Sequence, residues 1–375
     1  MKKTFCALLV LLITIAFAMQ IYAKENQPLQ GRVIILDPGH GLGADNVFAG
    51  YSEQRRMLLL ARKIQAELEA RGATVLLTRE TEANVSLPVR PALMNRWSLE
   101  ALRAVRMAEG AAQAEIDELD RLLHITKKVI VDPETYAPIY MNMPFCAYYR
   151  RIHPDWRRIF EKQSDPFIRN NFLMISLHSN AVPGPPFDTS ANGADIFIST
   201  NCNPRNRYYF ANYSHADITY LFADMLLDGI NAVGIRRNNI IPHHWMVIRE
   251  TNLPAVLVEN GFHTNAGDRA RLMDNAFLSR LAGVYADTIE RYFAIIAPYA
   301  PFVTDAVVAD APIHTPIELR AGSVIDLIED MRLYTNVGDE NHVAMLGSQP
   351  VWIIEVYGNW VRIGTWLGPK WVNFG

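Results

Sequence analysis

The sequence predicts an α/β domain with a mostly parallel twisted sheet flanked by helices, interrupted by a helical insertion and followed by a small all-β module. Three observations carry this expectation. An apolar run, Val33-Ile34-Ile35-Leu36, passes through Asp37-Pro38-Gly39-His40-Gly41 to an amphipathic pattern from Glu53 to Arg71, and Thr74-Val75-Leu76-Leu77-Thr78 then returns to a strand pattern. Strand, helix and strand in that succession form a βαβ unit with parallel strands. Two later apolar runs, Phe172 to Leu177 and Ala255 to Val258, have the length of further buried strands. Near the carboxyl end, Val351 to Val356 and Trp360 to Ile363 flank Gly358-Asn359 without any helical period.

The elements follow in order. Lys2 and Lys3 precede an uncharged apolar run from Phe5 to Ala18, with small residues at Ala16, Ala18 and Ala23. That is the layout of a secretory signal peptide over residues 1–23, cleaved after Ala23 or after Ala18. An uncleaved anchor is the alternative, because the run nearly reaches the roughly 20 residues of a membrane span. No later segment is apolar enough to span, so the expected location is the periplasm, the cell wall or the exterior. The formal net charge of −3 argues against nucleic acid as a partner. Of three cysteines, Cys146 and Cys202 lie beyond the signal segment, which allows one disulfide and no disulfide framework.

In the Glu53 helix, Met57, Leu60, Ala61, Ile64 and Leu68 share a face, and Gly72 suits the C-terminal stop. From about residue 96 to 170 the pattern changes. Leu102, Val105, Ile116, Leu119 and Leu123 form a helical stripe, and Tyr136 to Trp156 is dense in Pro, Tyr and Arg. This insertion is either a cover packed on the sheet or a lid over a site. The domain, expected over 31–296, resumes with strands at 172–176 and 194–198. A helix from His215 to Asn231, a strand at Met246-Val247-Ile248, the strand before Glu259 and a helix over 276–296 complete it. Residues 297–315 read as a linker and 316–375 as the β module.

The chemistry concentrates at strand tips. His40 and His178 each follow an apolar strand, Glu53 opens a helix, and Glu259 ends a third apolar run. Ligand sites of open α/β sheets lie at the carboxyl ends of strands. Catalytic zinc takes three protein ligands and leaves a position for water, and His40, Glu53 and His178 supply a His₂Glu set. Glu259 is then the expected general base, since a glutamate is otherwise costly at the end of an apolar strand. Asp37 is a possible partner of His40, and Gly39 and Gly41 leave space and permit positive φ.

These residues sit in a pattern that resembles the zinc-dependent N-acetylmuramoyl-L-alanine amidases. It comprises Asp37-Pro38-Gly39-His40-Gly41, Glu53, Leu77-Thr78-Arg79, Leu87 to Arg90 with Asn95, Ser176-Leu177-His178-Ser179-Asn180, and Val258-Glu259-Asn260-Gly261-Phe262 with Asn265 and Asp268. The resemblance implies zinc on His40, Glu53 and His178, catalysis by Glu259, and as substrate the amide between the lactyl group of N-acetylmuramic acid and L-alanine in peptidoglycan. The sequence departs from the pattern at Leu42, at Ser179-Asn180, where the family usually has Ala-Asn, and in the 96–170 insertion. The C-terminal module resembles a bacterial SH3-like domain through Gly358 to Ile363 and Thr365 to Trp371, which implies attachment to peptidoglycan with Trp360, Trp366 and Trp371 as possible ligand surface. Two other functions remain open: a zinc peptidase cutting within the stem peptide, and a catalytically silent wall-binding protein. His243-His244 near the metal, Arg249 on a peptide carboxylate, and the pairs Arg150-Arg151 and Arg157-Arg158 on an acidic stem peptide are further candidates.

Overall fold

The run Val33–Pro38 forms strand β1, and all six of its residues are buried. Val33 and Ile35 enter one hydrophobic core while Ile34 and Leu36 enter another, so the strand has protein on both faces. That is why it reads as continuous rather than alternating apolar sequence. The computed structural model describes residues 27–44, 46–142, 152–182, 190–200, 213–297 and, with short gaps, 324–373. The signal-peptide segment, the linker beyond Ala297, Cys146, Cys202, Arg150, Arg151 and Trp366 lie outside the described residues.

After β1 come a two-residue hairpin, β2 (Val47–Phe48) and β3 (Tyr51–Ser52), helix α1 (Glu53–Ala70) and strand β4 (Thr74–Leu77). Helix α1 buries Met57, Leu60, Ala61, Ile64 and Leu68, the predicted face, and Gly72 follows it with φ +87°. Helices α2 (Val89–Ala108), α3 (Gln113–Val131), α4 (Pro133–Tyr140), α5 (Pro154–Gln163) and α6 (Pro166–Asn171) then precede β5 (Phe172–Asn180). The helical stripe expected from Leu102 to Leu123 is not one helix, because the chain turns at Gly110 with φ +72°.

Strand β6 (Ala194–Ile198), helix α7 (Ala216–Ala232), strand β7 (Arg237–Pro242), the single turn α8 (Met246–Arg249), strand β8 (Ala255–Phe262) and helices α9 (Ala266–Met273) and α10 (Asn275–Ile296) complete this part. The sheet order is β4-β1-β5-β8-β6-β7, parallel throughout except where β6 meets β8. The expected strand at Met246–Ile248 is a helical turn instead. All four of its residues are buried, and a run that short carries no period to separate strand from helix. The sixth strand is Arg237–Pro242, whose half-exposed edge position hides it in polar sequence and tolerates its terminal proline.

One sheet face packs on α1, α7 and α10 through residues such as Leu60, Phe222 and Tyr285. The other packs on the inserted helices, where Trp97, Leu102, Leu119, Trp156 and Phe160 join Val33, Ile35 and Met174. Each such side chain stabilises by about 1.5–3 kcal/mol. The described residues of 96–170 therefore pack into the core on this face of the sheet. Toward the carboxyl end, β9 (Val324–Leu327), β10 (Met331–Leu333), β11 (Ala344–Leu346), β12 (Gln349–Tyr357), β13 (Trp360–Ile363) and β14 (Lys370–Asn373) form small antiparallel sheets ordered β14-β13-β12-β9 and β10-β11. Among the described residues no helix is long and apolar enough to cross a membrane.

Candidate metal centre

Strands β1, β5 and β8 are neighbours in the sheet and run the same way, so their carboxyl ends share one edge. His40 lies just beyond β1, His178 near the end of β5, and Glu53 is the first residue of α1. Their donor atoms converge. His40 Nε2 and His178 Nδ1 are each 3.2 Å from Glu53 Oε1 and 3.1 Å from each other. A tetrahedral ion with bonds of about 2.0–2.1 Å needs ligand atoms about 3.3 Å apart, so the triangle has the size of one face of such a site. The two imidazoles meet edge to face, with ring centroids 4.8 Å apart. Gly39 makes room for this: a Cβ there would fall 2.4 Å from His178 Cε1.

Two of the three donors are shifted in the direction a cation favours. Burial would raise the Glu53 carboxyl, but His40 and His178 outweigh it and hold the group well below the usual carboxylate range. Burial lowers the His178 imidazole below its ordinary value despite Glu53. An ionised carboxylate, and a His178 imidazole whose burial disfavours the charged form, both suit metal binding. Glu53 Oε2 is also buried without a hydrogen-bond partner among the described residues. The residues present therefore fit a divalent cation of the zinc type.

The backbone under this triangle is unusual. His40 itself adopts φ +62°, the left-handed region, whereas the sequence suggested positive φ at its glycine neighbours. Two buried arginines hold it there. Arg79 donates to the carbonyls of Pro38 (2.9 Å), Gly39 (2.8 Å) and Gln54 (2.7 Å). Arg90 donates to the carbonyls of Val85, Pro38 and His40 and to Asp37 Oδ1 at 2.7 Å. Asp37 is thus not a hydrogen-bond partner of the His40 ring. It takes Arg90 and Thr78 on Oδ1 and Ser176 on Oδ2, and reaches His40 only through the Arg90 guanidinium. Sequence reasoning noted Arg79 and Arg90 without giving them a task. The available signal was a cation directly after a strand and another beside Val89 and Pro91.

Burial would raise the Asp37 carboxyl, but Arg90, Ser176 and Thr78 outweigh it and keep it below its ordinary value. A depressed folded-state value contributes stability above the unfolded value, which is lost as pH falls through the folded one. Arg90→Leu leaves Asp37 as an uncompensated buried charge and is expected to cost about 3–5 kcal/mol at pH 7. The loss should shrink toward pH 4 as Asp37 takes up a proton. Urea unfolding at the two pH values measures both effects, and an equal loss at each would overturn the assignment.

Glu259 sits in β8 directly opposite His178 in β5 and opposite Asp195 in β6. Paired residues of neighbouring strands point to the same face, so Glu259 and His178 share the face of the inserted helices. Glu259 is half-buried. The other candidates lie elsewhere. His243 stacks on Trp245 at 4.3 Å, and His244 is buried with its imidazole pushed down to about 4 by burial, Arg249 and His243. Arg249 is buried against Glu250 at 2.7 Å, where the sequence suggested a ligand contact. Arg158 pairs with Glu118 and Glu161, and Arg157 with Glu161, tying α5 to α3 and bracing α5 itself. The described residues contain one His/Cys/Asp/Glu group able to hold a metal, and it is His40, Glu53 and His178.

Such a group at the tips of a mostly parallel sheet places the chain among α/β proteins with a candidate hydrolytic metal site. Its family follows from sequence. The family model described as N-acetylmuramoyl-L-alanine amidase matches residues 34–102 and 167–291, more than half of the chain, and the chain belongs to this family. The stretch between the two matched segments lies within α2–α6. Over 72 residues the chain is 42% identical to a probable cell wall amidase, LytH, of Staphylococcus aureus, covering 18% of this chain and 24% of that protein. The match thus spans about a quarter of the curated relative's length. Among solved structures, an N-acetylmuramoyl-L-alanine amidase from Clostridium difficile 630 is 16% identical, with TM-score 0.44, over 72% of this chain and 100% of that one. The catalytic domain of CwlV, an N-acetylmuramoyl-L-alanine amidase from Bacillus (Paenibacillus) polymyxa, is 19% identical, with TM-score 0.40, over 70% and 99%.

Proposed function

We propose that this chain is an exported zinc hydrolase that cleaves the amide between the lactyl group of N-acetylmuramic acid and L-alanine in peptidoglycan. The observation that carries the reading is the triangle of His40 Nε2, His178 Nδ1 and Glu53 Oε1, with Glu259 opposite His178 in the adjoining strand. Membership of the amidase family supports the choice of substrate. His40, Glu53 and His178 are the residues that would hold zinc. The chemistry supplied there by zinc when bound is polarisation of the substrate carbonyl and acidification of a water. Glu259 takes the proton from the attacking water and returns one to the departing amine of L-alanine, as the C–N bond breaks and the lactyl carboxylate forms. Arg79 and Arg90 keep the His40 loop in its left-handed shape, so the imidazole arrives already oriented.

Residues 1–23 act as the export signal in this reading, 31–296 as the catalytic domain, 297–315 as a linker and 316–375 as an SH3-like module that retains the enzyme on peptidoglycan. Trp360 and Trp371 are half-buried on the adjoining strands β13 and β14, which suits one ring face for the module's own core and another for a ligand.

Mass spectrometry of digested peptidoglycan tests the function. The expected products are free stem peptides beginning at L-alanine and glycan strands retaining the lactyl group. Peptides shortened internally would instead assign a zinc peptidase, and undigested material a wall-binding protein without activity.

A further inference from the structure

The tip of β5 carries two adjacent residues with different tasks. His178 offers a ring nitrogen to the triangle, while the backbone N–H of Ser179 donates to Glu53 Oε1 at 2.7 Å. The Ser179 side chain is fixed from two sides. Tyr51 donates its hydroxyl to Ser179 Oγ at 2.8 Å, and His263 Nδ1 lies 3.0 Å from the same oxygen. His263 Nδ1 is also 3.0 Å from the Ser179 carbonyl oxygen. A carbonyl only accepts, so this network assigns the hydrogen to His263 Nδ1. The rings of Tyr51 and His263 stack with centroids 5.1 Å apart and planes 10° from parallel. All three residues are buried, none more than 2% exposed.

The three come from the segments that carry the site. Tyr51 is two residues before Glu53, Ser179 follows His178, and His263 is four residues beyond Glu259. We propose that Tyr51, Ser179 and His263 are positioning residues that set the affinity of the His40–Glu53–His178 site for a divalent cation, by locking the β5 tip whose amide orients Glu53. This rests on the reading of those three residues as metal donors. The terminal torsion of a glutamate is broad, so one carboxylate oxygen stays in place only if a fixed donor holds it. The amide of Ser179 is that donor, and Tyr51 and His263 fix the residue bearing it. Alanine would fill the position without either bond, so the buried hydroxyl serves the two partners it joins rather than the volume it occupies.

The test uses the full chain, stripped of metal and titrated with zinc against a chromophoric chelator, with thermal unfolding of the metal-free proteins alongside. Ser179→Ala and His263→Leu are expected to raise the zinc Kd by about 10–100-fold, the usual scale for loss of a partner behind a metal ligand. His263→Asn, whose amide can still donate to Ser179, should stay within a few-fold of wild type, and metal-free melting should move little. Tyr51→Phe removes only a hydroxyl and is expected to raise the zinc Kd as Ser179→Ala does, should a larger change fail to fold. An unchanged Kd in Ser179→Ala and Tyr51→Phe overturns the proposal. So does a loss in His263→Asn equal to that in His263→Leu. A wild-type protein that binds no zinc would overturn the metal reading itself, and the two failures are distinct.

Discussion

Glu259→Gln is expected to retain zinc and to lower peptidoglycan turnover by about two to four orders of magnitude, the usual contribution of a positioned general acid–base group. Glutamine preserves the shape and half-buried setting of the side chain but has no basic oxygen to accept the water proton. Because Glu259 is not one of the three residues whose donor atoms converge, its loss should leave the metal count untouched. Paired measurements decide the matter: zinc per chain by elemental analysis, and release of stem peptides by mass spectrometry. A near-normal rate would assign the base to another group, and lost zinc would move Glu259 into the ligand set.

His178→Ala is expected to produce the complementary result, with bound zinc and activity disappearing together. It removes one of three donors from a triangle with sides of 3.1–3.2 Å. The remaining His40 and Glu53 cannot enclose a tetrahedral ion. His178 is the better of the two histidines to remove, because His40 occupies a left-handed backbone position and its replacement would also alter the loop. Full zinc occupancy in the alanine variant would sink the ligand assignment. Together the two substitutions separate holding the ion from moving the proton, which one inactive variant alone does not.

Much of this arrangement is legible in the sequence because its signals are local. The buried parallel strands β1, β5 and β8 open on apolar runs, with His40 just beyond β1 and His178 and Glu259 in the last few residues of β5 and β8. Helix α1 has a clear apolar period, so Glu53 at its start could be placed at the same edge. What was not legible depends on distant partners. Arg79 and Arg90 look like ordinary surface cations until the fold brings the carbonyls of Pro38, Gly39 and His40 against them. The left-handed turn was expected at glycine because local sterics favour it there. Tertiary hydrogen bonds place it at a histidine instead. Tyr51, Ser179 and His263 are separated by most of the domain, and no period or motif links them. Strand β7 was missed for the opposite reason: at the sheet edge, half its residues need not be apolar.

The grip of Arg90 on the His40 loop also ties that loop to a helix far along the chain. Arg90 belongs to α2, the first helix of the cover, and lies 50 residues from the carbonyl it holds. The chain must close that loop before the contact repays its entropy. The left-handed residue at His40 is not itself a glycine, so its conformation leans on tertiary hydrogen bonds from Arg90 of α2 and from Arg79. Loosening α2 by local unfolding would therefore withdraw one of the two arginines that hold the His40 loop. Helix α2 therefore serves the His40 edge as well as the core into which it packs.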